Sequence, residues 1–327
     1  IVSPMTHSES FPNYLAPSIQ DAAEKLMAGQ LVAFPTETVY GLGADATNQN
    51  AVHRIYTVKG RPINHPLIVH VSSLDALALW TKDIPSFALE LAHTFWPGPM
   101  TLVLKRSTLA MDFITGGQDS IGIRVPDQQV ALLLTQEFEK LSGSGIAAPS
   151  ANRFGSVSPT TAQAVEEELG KFLGNEDLIL DDGQCEIGVE SSIIDCTQAN
   201  PVVLRPGAIT NEMIEKVSGL KILLKSGRSE IRAPGLLESH YAPKAKVVIS
   251  SSALSGEGFI ALAKIPTPSG AIRLASPITA EEFARDLYSA LRKADEMGLA
   301  EVVVEQPQGD GLAIAIRDRL ERASKGR

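Results

Sequence analysis

Short apolar runs recur along the first two thirds of the chain, and stretches with helical spacing separate several of them. QLVAFPT, PLIVHV, MTLVLK, SIGIRVP, GIAAPSA, DLILDDG and SSIIDCT are each long enough for one buried strand and too short for a helix. Residues 74–80, 85–95, 127–141 and 160–170 read as helices, as does SIQDAAEKLMAG, which ends on a glycine stop. Strands alternating with helices require a sheet covered by helices, which makes the class α/β. The spacing is irregular, so the expected sheet is mixed rather than strictly parallel.

The texture changes at KSGRSEIRAPGLLESHYAPKAK, where Gly, Pro and polar residues follow no period. A connection of that length inside a compact domain is expected to serve as a linker or lid. Beyond it a simpler α/β pattern begins, with KVVIS, GFIALA and EVVVEQ as strands. ITAEEFARDLYSALRKADEMG is an amphipathic helix with its cap at Thr279, and GLAIAIRDRLERASK closes the chain as another. The predicted organisation is therefore a catalytic-sized domain over 10–224, a linker over 225–245 and a small α/β domain over 246–327. A chain of 327 residues suits two cores.

Charge and composition exclude several classes. The net charge is −9, with 38 Asp and Glu against 29 Lys and Arg, which argues against coating nucleic acid by bulk charge and confines any anion site to a local cleft. Two cysteines, Cys185 and Cys196, with no CxxC and no His cluster, indicate neither a disulfide framework nor structural zinc, and a reducing compartment fits. No run approaches the ~18 apolar residues of a membrane span, and the start lacks a leader-like layout. The expectation is a cytoplasmic protein with no membrane contact.

The chemical residues gather in a few segments. FPTETVYGLGADA reads as a strand that ends at Pro35 and a turn of hydroxyls and exposed amides, where α/β sheets open their ligand crevice. Thr36, Thr38 and Tyr40 together point to binding, whereas Gly41 and Gly43 are expected only to supply positive φ. The spacing is not a dinucleotide fingerprint, and no GxxxxGK[ST] occurs. In KGRPINHPLIVH, Lys59 and Arg61 are alternate residues, so in an extended segment both face one anion; otherwise they form a solvated basic turn. His65 follows them, and His70 ends an apolar strand as either a core histidine or a ligand contact. Arg124 sits on the strand SIGIRVP opposite Ile121 and Ile123, and needs a carboxylate that is either structural or a substrate's. Ser150 and Asn152 alternate after a strand, and SPTTAQAV is a helix start with Pro159 in its first turn, an arrangement that either caps or cradles phosphate. Ser191 begins one strand and Arg205 ends another. There is no GxSxG, no Cys–His pair and no catalytic carboxylate pair, so the chemistry expected is positioning and charge stabilisation, as in adenylyl or phosphoryl transfer.

The ordered set PTETVYGLGADA, KGRP, PLIVH, WPGPMTLVL, GIRVPD, APSAN, SPT, VESSIID, VLRPG and HYAPKA resembles the YrdC-like threonylcarbamoyl-AMP synthases, in their long form with a C-terminal α/β domain. The resemblance covers roughly residues 18–245; the last domain matches only in position, length and pattern. It implies a twisted open mixed sheet with a positive concave face, followed by a smaller Rossmann-like domain. It also implies a cytoplasmic enzyme joining L-threonine, bicarbonate and ATP, with Mg²⁺ accompanying the nucleotide, whose product goes to the machinery that modifies tRNA. Carried over by residue, the K-x-R and S-x-N signature falls on Lys59, Arg61, Ser150 and Asn152. Threonine contacts fall on Thr38, His70, Arg124, the backbone at Ala148, and Ser191. ATP contacts fall on Arg61, His65, Ser120, Ser150, Ser158, Arg205 and Tyr241, the last as part of a lid. Position 65 is His where the family pattern often has Asn, and VESS stands for VEST. The alternative is an RNA-binding module of the same fold; with 5% aromatics and an acidic balance, RNA contact is expected to be weak.

Overall fold

The computed structural model describes residues 18–223, 231–235 and 240–326. The expected domain start at residue 10 and parts of the expected linker lie outside them. Among the described residues, no helix is long and apolar enough to cross a membrane.

The first unit holds β1 (Val32–Phe34), β2 (Gly41–Asp45), β3 (Ile68–His70), β4 (Met100–Lys105), β5 (Ser120–Arg124), β6 (Ile146–Ala147), β7 (Leu178–Ile179), β8 (Ser192–Asp195) and β9 (Val202–Arg205). They form one sheet in the order β7-β1-β2-β6-β3-β5-β4-β8-β9. The pairing is mixed as expected: β3 and β5 run parallel, as do β4 and β8, while β4–β5 and β8–β9 are antiparallel. Most of these strands are buried along their length, which is why they read as near-continuous apolar runs. The helix Ile19–Met27 buries Ala22, Ala23 and Leu26, and Ser18 and Asp21 close a capping box at its start.

Three expectations are corrected here. GLGAD is not a turn but β2, and neither Gly41 nor Gly43 has positive φ. Gly43 is needed for space, since a Cβ there would meet Ile146 Cγ2 at 2.8 Å and Phe34 Cε1 at 2.9 Å. Further along, Lys59 is not extended. It ends a helix, Gln49–Lys59, that is not predicted from the sequence, and Gly60 caps it in the left-handed conformation. Pro159 also lies outside the helix it was expected to open, which is capped by Thr161 and runs Ala162–Leu169.

The second unit is a parallel sheet, β10 (Lys246–Ile249), β11 (Gly258–Ile260), β12 (Ile272–Ala275) and β13 (Glu301–Val304), in the order β10-β13-β11-β12. The helix Ala280–Glu296 starts at Thr279, whose side chain accepts from Glu282 N, and Leu312–Ser324 is the closing helix. Val39, Val157 and Val189 of the first unit join Tyr241, Phe283, Leu287, Tyr288 and Leu320 in one apolar cluster. The two units thus pack against each other through a shared apolar cluster.

Candidate active site

The sheet register brings the site together. His70 ends β3 directly opposite Arg124, which ends the parallel neighbour β5. Ser191 immediately precedes β8, and Arg205 closes β9, three strands along the sheet from β5. The loop between β1 and β2 carries Thr36 and Thr38. Thr36 Oγ1 accepts the N–H groups of Thr38 and Val39, both at 3.2 Å, and this turn aims Thr38 inward. Tyr40 is anchored elsewhere: its hydroxyl donates to Gly183 O at 2.8 Å.

These residues line a narrow chamber of about 50 Å³. Thr38, His70, Arg61, Arg124, Ala148, Ser150, Ser191, Arg205 and Tyr241 all border it. So do Glu190, His240, Pro234 and Gly235, none of which the sequence reading singled out. The linker's described residues therefore lie over the site. Ile231 and Ala233 pack on Ile68, Val103 and Ile193 of the sheet face. Tyr241 holds φ +62 there, and a Cβ at Gly235 would come within 2.1 Å of its hydroxyl. A left-handed tyrosine is strained, and such strain gathers at functional segments.

At one end, Arg124 Nη2 donates to Glu37 Oε1 at 2.6 Å and Nη1 to Thr38 Oγ1 at 2.9 Å. The question of its carboxylate is thus answered within the chain by Glu37, whose other oxygen accepts from Asp127 N. Arg124 Nε is buried and unpartnered, as is His70 Nδ1. Burial, and next the Arg124 cation, push His70 down to about 3, so its ring is neutral at physiological pH. At the other end, Arg205 donates to Ser191 O at 3.0 Å, Ser191 Oγ at 3.1 Å and Pro234 O at 3.2 Å. Arg61 Nη2 donates to Pro66 O at 2.9 Å, and burial lowers the group to about 10. The described acceptors of Arg61 and Arg205 are carbonyls and a hydroxyl, which a phosphate can replace.

Five predicted site residues lie outside the chamber. Lys59 is fully buried behind it, and its Nζ donates to the backbone carbonyls of Ser150, at 2.6 Å, and Asn152. Burial, and next the Arg61 cation, lower its pKa well below the ordinary lysine value. The extended segment expected to present Lys59 and Arg61 together is instead a helix end, and the two cations bond different carbonyls, Ser150 O and Asn152 O against Pro66 O. Asn152 serves the same loop, accepting from Ser150 Oγ at 2.5 Å and donating to Arg153 O and Ser156 O. Ser158 Oγ donates to Glu190 Oε1 at 2.6 Å and so supports the wall from outside. His65 meets Phe154 edge to face at 5.2 Å. Ser120 begins β5, at the opposite end from Arg124, and borders an open groove with Lys82, Lys105, Arg106 and Arg232.

Two family models match the chain. One, for Sua5, YciO and YrdC, is described as telomere recombination and matches residues 24–207; the other, described as threonylcarbamoyl-AMP synthase C-terminal domain, matches 209–325. The chain belongs to the threonylcarbamoyl-AMP synthase family. Family relatives named threonylcarbamoyl-AMP synthase include one from Pyrococcus abyssi, 42% identical with 94% of each chain covered. Another, from Bacillus subtilis, is 39% identical over 95% of this chain and 94% of its own. A solved structure of Sua5 from P. abyssi, complexed with L-threonine, superposes with a TM-score of 0.84 at 40% identity, covering 94% of both chains.

Magnesium is the cofactor that the family implies. Among the described residues no three His, Cys, Asp or Glu side chains gather as a metal cage.

Proposed function

We propose that this chain is a nucleotidyltransferase that makes threonylcarbamoyl-AMP and pyrophosphate from L-threonine, bicarbonate and ATP, and supplies threonylcarbamoyl groups for tRNA modification. The observation that carries the proposal is one chamber with two chemically different ends. Arg124, His70, Thr38 and Ser191 offer an unused guanidinium N–H, a neutral imidazole and hydroxyls, a set suited to an α-amino acid. Arg61 and Arg205 offer cations whose present partners are neutral. Relatives with this name, and the neighbour complexed with L-threonine, support the same reading.

In this reading, threonine's amine takes up bicarbonate as a carbamate with loss of water. A carbamate oxygen then attacks the α-phosphorus of ATP, and the bond to the β-phosphate oxygen breaks to release pyrophosphate. Arg61 and Arg205 offset the charge that develops on the phosphates. Magnesium, brought by ATP, would add charge neutralisation on the same phosphates. Tyr241 and the Pro234–Gly235 segment exclude water from the carbamate. A chamber of about 50 Å³ is far below the ~300–1,000 Å³ typical of ligand pockets, so the segment must lift for substrates to enter. Arg124 would share its fork between Glu37 and the threonine carboxylate. Lys59 and Asn152 shape the Ser150 loop instead of touching ATP.

Pyrophosphate release measured with threonine, bicarbonate and ATP each omitted in turn tests the proposal. Release that persists without threonine or bicarbonate, or no release with all three present, would exclude it. The RNA-binding alternative receives no support from any feature of the chamber.

A further inference from the structure

Glu190 is a carboxylate set into a chamber otherwise furnished with cations. It precedes Ser191 in the chain and is only 5% exposed. Three groups hold it. Ser158 Oγ donates to Oε1 at 2.6 Å, the Tyr288 hydroxyl reaches both oxygens at 3.2 and 3.0 Å, and Arg319 Nε donates to Oε2 at 2.8 Å. Two of the three come from the second unit, Tyr288 from the helix Ala280–Glu296 and Arg319 from the closing helix. Burial raises the carboxyl, but the Arg319 and Arg205 cations outweigh it and hold Glu190 ionised, at about 2.

Arg319 is 1% exposed and binds in several directions at once. It donates to Pro206 O at 3.0 Å and pairs with Asp318 at 2.6 Å. Its guanidinium lies 5.3 Å from the Tyr241 ring, which stacks on Tyr288 at 5.8 Å. From Tyr241 the ring contacts continue through His240, at 4.1 Å, to Phe154, at 6.1 Å.

We infer that Arg319 is a positioning residue of the active site: by docking against Glu190 and Tyr241, the C-terminal domain neutralises a carboxylate that would repel the nucleotide and holds the lid residue in place. The inference rests on the synthase reading above. No residue beyond Tyr241 occurs in the described lining of the chamber, so this domain acts on the reaction without touching the substrate. The physical reason is charge. Glu190 shares the chamber with Arg61 and Arg205, and an uncompensated carboxylate there, in a medium of low dielectric, opposes a polyphosphate directly. With Arg319 in place, the pair is neutral and the two chamber arginines remain free to attract phosphate.

The test begins with wild-type pyrophosphate release dependent on all three substrates; failure at that step would strike the synthase reading, not this inference. Arg319→Met should then raise the KM for ATP at least about tenfold and the KM for threonine less than about threefold. Adding Glu190→Gln to Arg319→Met should recover most of the lost ATP affinity, because the carboxamide carries no charge to repel phosphate. Arg319→Lys, which keeps the charge, should fall between the wild type and Arg319→Met. Melting temperatures of each variant separate this effect from unfolding. If Arg319→Met does not fold, the neutral double variant and Arg319→Lys carry the comparison, and both should bind ATP within about threefold of the wild type. An unchanged ATP KM in Arg319→Met, or a loss that Glu190→Gln does not relieve, would overturn the inference. So would a parallel fall of kcat, both affinities and melting temperature, which marks a purely structural pair.

Discussion

Replacing Lys59 by Met should damage stability before it damages chemistry. The ammonium makes two bonds inside the protein, to the carbonyls of Ser150 and Asn152. A hydrogen bond from a charged group contributes about 1.5–3 kcal/mol, which puts the gross loss near 3–6 kcal/mol. Part of this is returned, because methionine fills a similar volume and no cation remains to be buried; the depressed lysine pKa shows that its burial is costly. A net destabilisation of about 2–4 kcal/mol follows, or a melting temperature lower by roughly 5–15 °C for a unit of this size. Urea unfolding followed by far-ultraviolet circular dichroism measures the first number and calorimetry the second. The Ser150 loop should loosen as well, so the KM for ATP rises several-fold while saturating ATP restores most of kcat. A Lys59→Met protein as stable as the wild type but unable to bind ATP would refute this reasoning and put Nζ on the nucleotide.

The chamber residues should behave differently. Arg61→Met and Arg205→Met, measured by ATP titration calorimetry, should each weaken ATP binding by ten- to a hundredfold, the scale of one lost charge-assisted contact of about 1.5–3 kcal/mol; retained affinity in both would move the phosphate site elsewhere. Glu37→Gln should lower the melting temperature without ligand and enlarge the stabilisation given by threonine, because Arg124 loses its internal carboxylate. An unchanged threonine shift in a thermal scan would show that Arg124 does not meet the substrate. His70 and His240 are both held near 3, chiefly by burial, against 6.5 when unfolded. The unfolded chain therefore binds more protons between pH 6.5 and 3, and stability falls as the pH drops through that window, by about 2 kcal/mol for each histidine between pH 6.5 and 5. Urea midpoints at pH 7 and 5 check it, and a His70→Asn variant with the same slope as the wild type would count against it. Gly235→Ala, with its new methyl placed on Tyr241, should raise the ATP KM without moving the main melting transition; an unaltered KM would mean that the segment does not close the site.

What was legible in the sequence depended on whether a property was local. The α/β class, the mixed sheet and the second parallel sheet follow from short apolar runs and periodic helices, which are local patterns. Arg124, His70 and Arg205 could be named because they end strands, where an α/β sheet opens. The rest depended on contacts between residues far apart in the chain. Glu37 carries no local signal, and only the fold shows it 2.6 Å from Arg124, 87 residues away. Glu190 and Arg319 are 129 apart. Lys59 misled for a different reason: the rule that alternate residues share a face holds for strands, and a helix ending at Gly60 cancels it.

The distribution of charge inside the chamber suits a phosphate-bearing ligand even though the protein's net charge is −9. Each buried carboxylate that borders or backs the chamber is matched by its own arginine: Glu37 by Arg124, and Glu190 by Arg319. Arg61 and Arg205 remain, bound only by neutral acceptors in their described contacts. They are the groups that can exchange partners without stranding a buried charge, so the phosphates should settle on them. Arg124 cannot do so, because a carboxylate that took its whole fork would leave Glu37 unpaired. A ligand there must add to the pair through the unpartnered Nε, with neutral His70 and Thr38 beside it. That geometry favours a small carboxylate with a neighbouring hydroxyl over a bulky polyanion, and it gives the two ends of one cavity separate tastes.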